Sequence, residues 1–80
     1  MSGYAIYDED KNCLEVIRPN ESTKRYIRCN NLDSKNYDVF GVEVNGDEIW
    51  VIVGPKGNPR PSKKYIYYFS SLSGGASRSL

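Results

Sequence analysis

The fold is decided by the stretch Val42-Glu43-Val44-Asn45-Gly46-Asp47-Glu48-Ile49-Trp50-Val51, in which an Asn-Gly step separates two runs rich in β-branched and aromatic residues. Such a step is typical of a tight turn with positive φ at its central residues, so the stretch predicts a β-hairpin. A two-residue loop would place Glu43 opposite Glu48, and the two carboxylates would repel each other. A four-residue loop would instead pair Val44 with Ile49. Both registers put the same side chains on the same faces.

The pleat of this hairpin divides its side chains between two faces. One face is apolar throughout and is expected to belong to the core; its members are Phe40, Val42, Val44, Ile49, Val51 and Val53. The other face carries Val39, Gly41, Glu43, Trp50 and Ile52. Because Trp50 and Ile52 make this second face partly apolar, we expect the hairpin to be covered on both sides or closed into a small barrel.

The rest of the chain also has the composition of strands, and helical periodicity is nearly absent. Including the hairpin, the predicted strands are Gly3 to Tyr7, Cys13 to Arg18, Lys24 to Cys29, Tyr37 to Val44, Ile49 to Gly54 and Lys63 to Phe69. We therefore predict an all-β fold, a small antiparallel meander of about six strands that forms a curled sheet or a small SH3-like or OB-like barrel. The alternative is an α+β fold with one short helix, over residues 19–26 or 31–37.

Length and composition predict a single domain. The chain has 80 residues, 39% of them hydrophobic, and a formal net charge of +1, which leaves no room for a second core. The expected core residues are Leu14, Val16, Ile27, Phe40, Val42, Val44, Ile49 and Val51. Residues 1–69 form the predicted β domain. Residues 70–80 contain five serines and two glycines and are predicted to form a flexible tail, and Gly54 to Ser62 is predicted to be an exposed loop.

Several kinds of chemistry lack the residues that they need. The chain has no histidine, and Cys13 and Cys29 are too few for a zinc site, so we predict no metal, no cofactor and buried free thiols. The acidic segment Asp8–Asn12 has oxygen side chains at the first, third and fifth positions of a calcium loop. Cys13 and Pro19 then stand where that loop requires glycine and glutamate, so we predict a hairpin tip instead. No constellation predicts an enzyme.

We expect no secretory signal at the N-terminus. Met1 to Tyr7 lacks the basic segment and the long apolar stretch of a secretory signal. No apolar run approaches the ~20 residues of a membrane-spanning helix. The expectation is therefore a cytoplasmic protein without a membrane partner.

The predicted function is binding, because basic and aromatic residues are concentrated towards the C-terminus. Residues 51–80 contain five bases and no acid, whereas residues 1–50 contain six bases and all ten acids. The leading hypothesis is a protein-interaction inhibitor or adaptor, of a size that would fit a phage or mobile-element protein, which binds its partner or a second copy through an aromatic edge strand. Aromatic and arginine side chains dominate interface hot spots, so the expected contact residues are Arg60, Tyr65, Tyr67 and Tyr68.

The alternative hypothesis is a single-stranded RNA or DNA binding protein. Cationic side chains would neutralise phosphates while tyrosine rings stack on unpaired bases. The residues expected to contact phosphates are Lys56, Arg60, Lys63 and Lys64.

Overall fold

The computed structural model describes residues 2–80, which form seven antiparallel strands in two sheets. The first sheet has the order β1-β2-β3, from Tyr4–Asp8, Cys13–Ile17 and Lys24–Arg28. The second has the order β4-β5-β6-β7, from Tyr37–Asn45, Glu48–Pro55, Lys63–Tyr68 and Ser73–Ser79. The predicted all-β meander is confirmed. Because residues 2–80 contain no helix, the α+β alternative is wrong, and neither sheet closes into a barrel.

The β4–β5 hairpin takes the register that keeps its two glutamates apart. Val44 pairs with Ile49, and Glu43 lies opposite Trp50. Gly46 has φ of 62° at the first central position of the turn, a conformation that glycine adopts without the steric cost of a Cβ. Of the two registers that the sequence left open, the structure has the pairing of Val44 with Ile49, but the loop has two residues, Gly46 and Asp47, instead of the four expected with that pairing.

A β-bulge in β4 changes which side chains this hairpin buries. The register shifts between Val39 and Gly41, so Phe40 has no cross-strand partner. Val39 pairs with Val53 and packs against the core, whereas Phe40 is 45% exposed. Val44 lies near the end of an edge strand and is also exposed. The assignment of Phe40 and Val44 to the core is therefore wrong; the expected core residues that are buried are Leu14, Val16, Ile27, Ile49 and Val51.

Strand β7 occupies most of the segment that was expected to be a flexible tail. Ser73–Ser79 pairs with β6, with a register shift between Ile66 and Tyr67. At this shift Gly74 has φ of 144°, and a Cβ added to it would lie 2.4 Å from the carbonyl oxygen of Ile66. The glycines of this segment therefore serve a bulged edge strand, and serine and glycine content alone gives no sign of the pairing.

The core lies between the inner faces of the two sheets. Its buried members are Leu14, Val16, Ile27, Cys29, Leu32, Ile49, Val51, Val53, Tyr65, Tyr67 and Phe69. Gly3, just before β1, lies directly on the ring of Phe69, because a Cβ added to Gly3 would be 2.4 Å from the ring. Phe69 thus joins the start of the first sheet to the second sheet. Cys13 and Cys29 are both buried and free, as predicted.

Over residues 2–80 the chain has no helix that is long and apolar enough to span a membrane.

Candidate functional site

A groove lies beside the first strands of the two sheets, which approach each other. Strands β1 and β4 each lie at an edge of their own sheet, and both supply residues to the lining of this groove, whose volume is about 750 Å³. That volume is in the range of sites that bind small molecules or short peptide segments. The groove, called the edge groove below, is lined by Ala5, Ile6, Tyr7, Glu9, Ser34, Tyr37, Asp38, Val39, Phe40, Gly41, Val42 and Lys56.

Both strands beside the edge groove have a free backbone edge. β1 pairs only with β2, and β4 pairs only with β5. In residues 2–80, no backbone hydrogen bond outside the strand ladders reaches β1 or residues 38–45 of β4. Since alternate residues of an antiparallel edge strand direct their N–H and C=O groups away from the neighbouring strand, both edges keep unpaired backbone groups.

Apolar and polar groups both line the edge groove. Ala5, Tyr7, Val39 and Val42 pack against the core and are partly buried. Ile6 and Phe40 are 41% and 45% exposed. An extended chain placed in the groove would therefore find apolar contacts beside the free backbone groups.

Phe40 is held at the groove by the bulge and by a glycine. A Cβ added to Gly54 would lie 2.5 Å from Cε2 of Phe40, so the ring rests on the bare backbone of Gly54. A smaller hollow of about 360 Å³ continues from the ring towards the 56–62 loop and is lined by Asp38, Phe40, Gly57, Asn58 and Pro59. The loop was predicted from its prolines and glycines, but its contact with Phe40 was not.

A hydrogen-bonded network fixes the end of β1 at the groove. The Tyr7 hydroxyl donates to Oδ1 of Asn12 over 2.6 Å, and Nδ2 of Asn12 donates to the carbonyl oxygen of Cys29 over 3.0 Å. Burial, then the Cys29 thiol and the Glu9 carboxylate, raise the pKa of Tyr7, so its hydroxyl remains a donor at neutral pH. The network connects the β1–β2 hairpin to the residue that follows β3 and so fixes the position of β1.

The charged residues that line the edge groove are mainly acidic. Glu9 and Asp38 line it together with one base, Lys56. Glu9 belongs to the turn between β1 and β2, where Asp8 and Asp10 are its neighbours in sequence, as predicted for an acidic hairpin tip. A cationic residue of a bound segment would be attracted to these carboxylates.

The residues that the sequence predicted to contact a partner lie partly in the core and partly on the surface. Tyr65 and Tyr67 are buried between the sheets, so their rings are core residues rather than a contact surface. Tyr68 points to the opposite side of β6 and is 38% exposed, and Arg60 is exposed in the 56–62 loop. The four residues are therefore not brought together on one surface.

The four residues predicted to bind phosphates also lie in two different environments. Lys56 and Arg60 are exposed on the loop. Lys63 lies over the Tyr37 ring, with Nζ 4.2 Å from the ring centre, and Nζ of Lys64 lies 3.3 Å from the centre of the Trp50 ring. Two of the four cations thus already cover aromatic rings that would have to be open for bases to stack on them.

The described part of the chain, residues 2–80, holds no cluster of three or more histidine, cysteine, aspartate or glutamate side chains that could bind a metal ion.

The residues that sequence reasoning missed are those of the edge groove, above all Ile6 and Phe40. The alternation in β1 does indicate that Ile6 lies opposite to Ala5 and Tyr7. No sequence signal marks the bulge that exposes Phe40, and none indicates that β1 and β4 are the two strands that approach each other.

Comparison of the chain with protein-family models, with curated proteins and with solved structures finds no match.

Proposed function

We propose that this chain is a non-enzymatic protein-binding module that receives an extended segment of its partner in the edge groove. The segment would add a strand to β1, and its side chains would pack against Phe40 and Val42 across the groove. Binding of this kind suits an inhibitor or an adaptor, because it occupies a short linear segment of the partner without chemical change.

The observation that supports this proposal is the pair of free backbone edges, on β1 and β4, beside a groove whose lining includes exposed apolar side chains. An edge strand with unpaired N–H and C=O groups is a template for a further strand. β1 is the better template, because its five residues pair with β2 without a bulge, whereas β4 is interrupted at Phe40. Backbone hydrogen bonds would supply affinity, and the groove walls would select the side chains.

The lining residues also indicate the chemistry of the segment. The exposed apolar residues of the lining, Ile6 and Phe40, favour an apolar side chain at every second position, since alternate side chains of an added strand face the same way. Glu9 and Asp38 favour a lysine or arginine near one end of the segment. The proposed partner segment is therefore extended, alternating and basic rather than acidic.

The test uses a displayed library of random octapeptides selected against the intact chain. The affinity of the enriched peptides is then measured for the wild type and for Phe40→Ala and Tyr68→Ala variants. The two aromatic side chains are exposed to similar extents, but only Phe40 lies in the groove. We expect Phe40→Ala to weaken binding about tenfold, the effect of losing about 1.4 kcal/mol of apolar contact, and Tyr68→Ala to leave it unchanged.

Amide resonances locate the peptide independently of these variants. On addition of an enriched peptide, the amides of residues 4–8 should shift and exchange more slowly with solvent, because they gain hydrogen bonds. Loss of binding in Tyr68→Ala and Arg60→Ala, with Phe40→Ala unaffected, would contradict the edge groove and favour the surface expected from sequence. Failure to enrich any peptide would contradict the proposal altogether.

Single-stranded nucleic acid is the competing ligand, and a separate titration examines it. Binding through Lys56, Arg60, Lys63 and Lys64 would give an affinity for oligouridylate that falls steeply as salt increases. It would also be abolished by the Lys63→Glu/Lys64→Glu double variant. The edge-groove proposal predicts neither result.

A further inference from the structure

A second surface, which shares Ile6 with the edge groove, lies on the outer face of the first sheet. The strand register arranges its side chains in three rows that cross β1, β2 and β3. The rows are Tyr4, Ile17 and Lys24; Ile6, Glu15 and Tyr26; and Asp8, Cys13 and Arg28. These nine residues are called the outer grid below.

The outer grid exposes large apolar side chains next to unpaired charges. Tyr4 and Tyr26 are 49% and 55% exposed, and Ile6 lies in the same row as Tyr26. In residues 2–80 neither Asp8 nor Arg28 takes part in an ion pair. Exposed apolar residues that share a face with opposite, unpaired charges are typical of an interaction surface.

The arrangement of the grid is complementary to itself. Consider a second copy stacked face to face, related by a two-fold axis that runs along β2. This operation places β1 of one copy over β3 of the other and keeps each row in register. Tyr4 then meets Lys24 of the second copy, which is a cation over a ring.

The other two rows become complementary under the same operation. Ile6 meets Tyr26, which is an apolar contact, and Asp8 meets Arg28, which is an ion pair. Each contact occurs twice, because the interface of a two-fold dimer is made of one surface used by both copies. Two aligned sheets stacked in this way form a β-sandwich interface.

We propose that the outer grid is a homodimer interface with this two-fold geometry. A second copy of the chain is the partner that this surface favours. In each row, the residue on β1 is complementary to the residue on β3, and the two-fold axis brings them into contact. Binding of a different protein would not require the residues of β1 and β3 to be complementary to each other.

One contact opposes association and limits the affinity. Glu15 lies on the axis and meets Glu15 of the second copy, although its charge is partly balanced by Lys24, whose Nζ is 3.7 Å from Oε1. The grid is also small: three strands of five residues cover roughly 14 by 17 Å at ordinary strand spacings. Stable dimers bury more than about 1,000 Å² in total, so we expect a weak dimer that forms at high concentration.

The experiment measures the dissociation constant by sedimentation and by NMR diffusion, from about 10 μM to several millimolar chain. The single variants Asp8→Arg and Arg28→Asp place like charges opposite each other, and each should weaken the dimer at least tenfold. The double variant Asp8→Arg/Arg28→Asp restores opposite charges with the signs exchanged, and its affinity should return to within about threefold of the wild type. Circular dichroism checks that each variant is folded.

A further variant acts in the opposite direction and does not depend on the charge exchange. Glu15→Gln removes the repulsion on the axis and should tighten the dimer severalfold. This variant also serves if Asp8→Arg fails to fold, since Asp8 accepts a hydrogen bond from the Lys11 amide.

Three results would overturn the proposal: a wild type that stays monomeric at several millimolar, a double variant as weak as the single variants, or single variants that dimerise like the wild type. The last result would indicate pairing of two β1 edges, which does not bring Asp8 to Arg28. Since Phe40 is outside the outer grid, Phe40→Ala should leave the dimer intact. Failure of the grid and failure of the edge groove are thus separate outcomes.

Discussion

The two sheets carry similar apolar residues on their outer faces but leave them exposed to different degrees. On the first sheet Tyr4, Ile6 and Tyr26 are exposed, whereas on the second sheet Ile66 is only 5% exposed and Trp50 is half-buried. Lys64 lies across the Trp50 ring, and Nε1 of Trp50 donates to the Glu48 carboxylate over 2.7 Å. Charged side chains with long aliphatic stems can cover apolar surface. The second sheet therefore covers its own outer face, and the first sheet leaves its outer face available.

Truncation of one isoleucine on each outer face should show the largest difference between them. Ile66 lies between Trp50 and Ala76 in the register, and Ile66→Ala should destabilise the fold by about 2–3 kcal/mol through lost burial and a cavity. Ile6→Ala removes a side chain that is already 41% exposed and should cost less than about 1 kcal/mol. Urea unfolding at low protein concentration measures both. Equal losses of stability would show that the two faces do not differ in burial.

The two cysteines lie on opposite faces of the first sheet, Cys29 towards the core and Cys13 on the outer side. Both thiols are buried, and burial raises the pKa of each: that of Cys13, which lies in the outer row with Asp8 and Arg28, and that of Cys29, which rises from 9.0 to about 11. The raised pKa means that the folded state favours the neutral thiol. The resulting stability is complete below pH 9 and is lost as the pH rises through 11.

The expected contribution of Cys29 is a fall of about 1 kcal/mol in the free energy of unfolding between pH 8 and pH 10. Urea unfolding at both pH values measures this fall for the wild type and for Cys29→Ala. The difference between the two falls is the contribution of Cys29. Cys13→Ala is the matched control and should retain this contribution. An identical fall in the wild type and Cys29→Ala would mean that Cys29 is not sealed from solvent.

The smallest expected effect is the removal of the lysine that covers Trp50. Lys64→Ala takes away the cation over the ring and should cost about 0.5–1 kcal/mol, with a red shift of tryptophan fluorescence as water reaches the indole. Lys24→Ala on the first sheet is the matched control. Its ion pair with Glu15 is exposed, so the loss should be at most about 0.5 kcal/mol, without a spectral change. A tryptophan spectrum unchanged in Lys64→Ala would show that other groups cover the ring.

Much of the candidate site could not be predicted from the sequence, although most of its residues were assigned to strands. The expected contact residues Tyr65 and Tyr67 are in the core, because the alternation of β6 turns one set of rings inward and the sequence does not state which set. Tyr68 is on the exposed side for the same reason. The edge groove depends on the approach of β1 to β4, which are separated along the chain by two other strands. No local pattern records which edges of two sheets meet.

Sequence by itself determined six of the seven strands and the antiparallel hairpins that join most of them, because alternation, turn residues and proline act over a few neighbouring residues. The six predicted strands and the presence of a hairpin at the Asn45-Gly46 step follow from such local rules, which left the register of the hairpin open. The tertiary structure decided what those rules leave open: the bulge that exposes Phe40, the pairing of Ser73–Ser79 with β6, and which apolar face is covered. These features depend on packing between residues far apart in sequence. Whether a given side chain is buried is decided by the residues of other strands that pack against it.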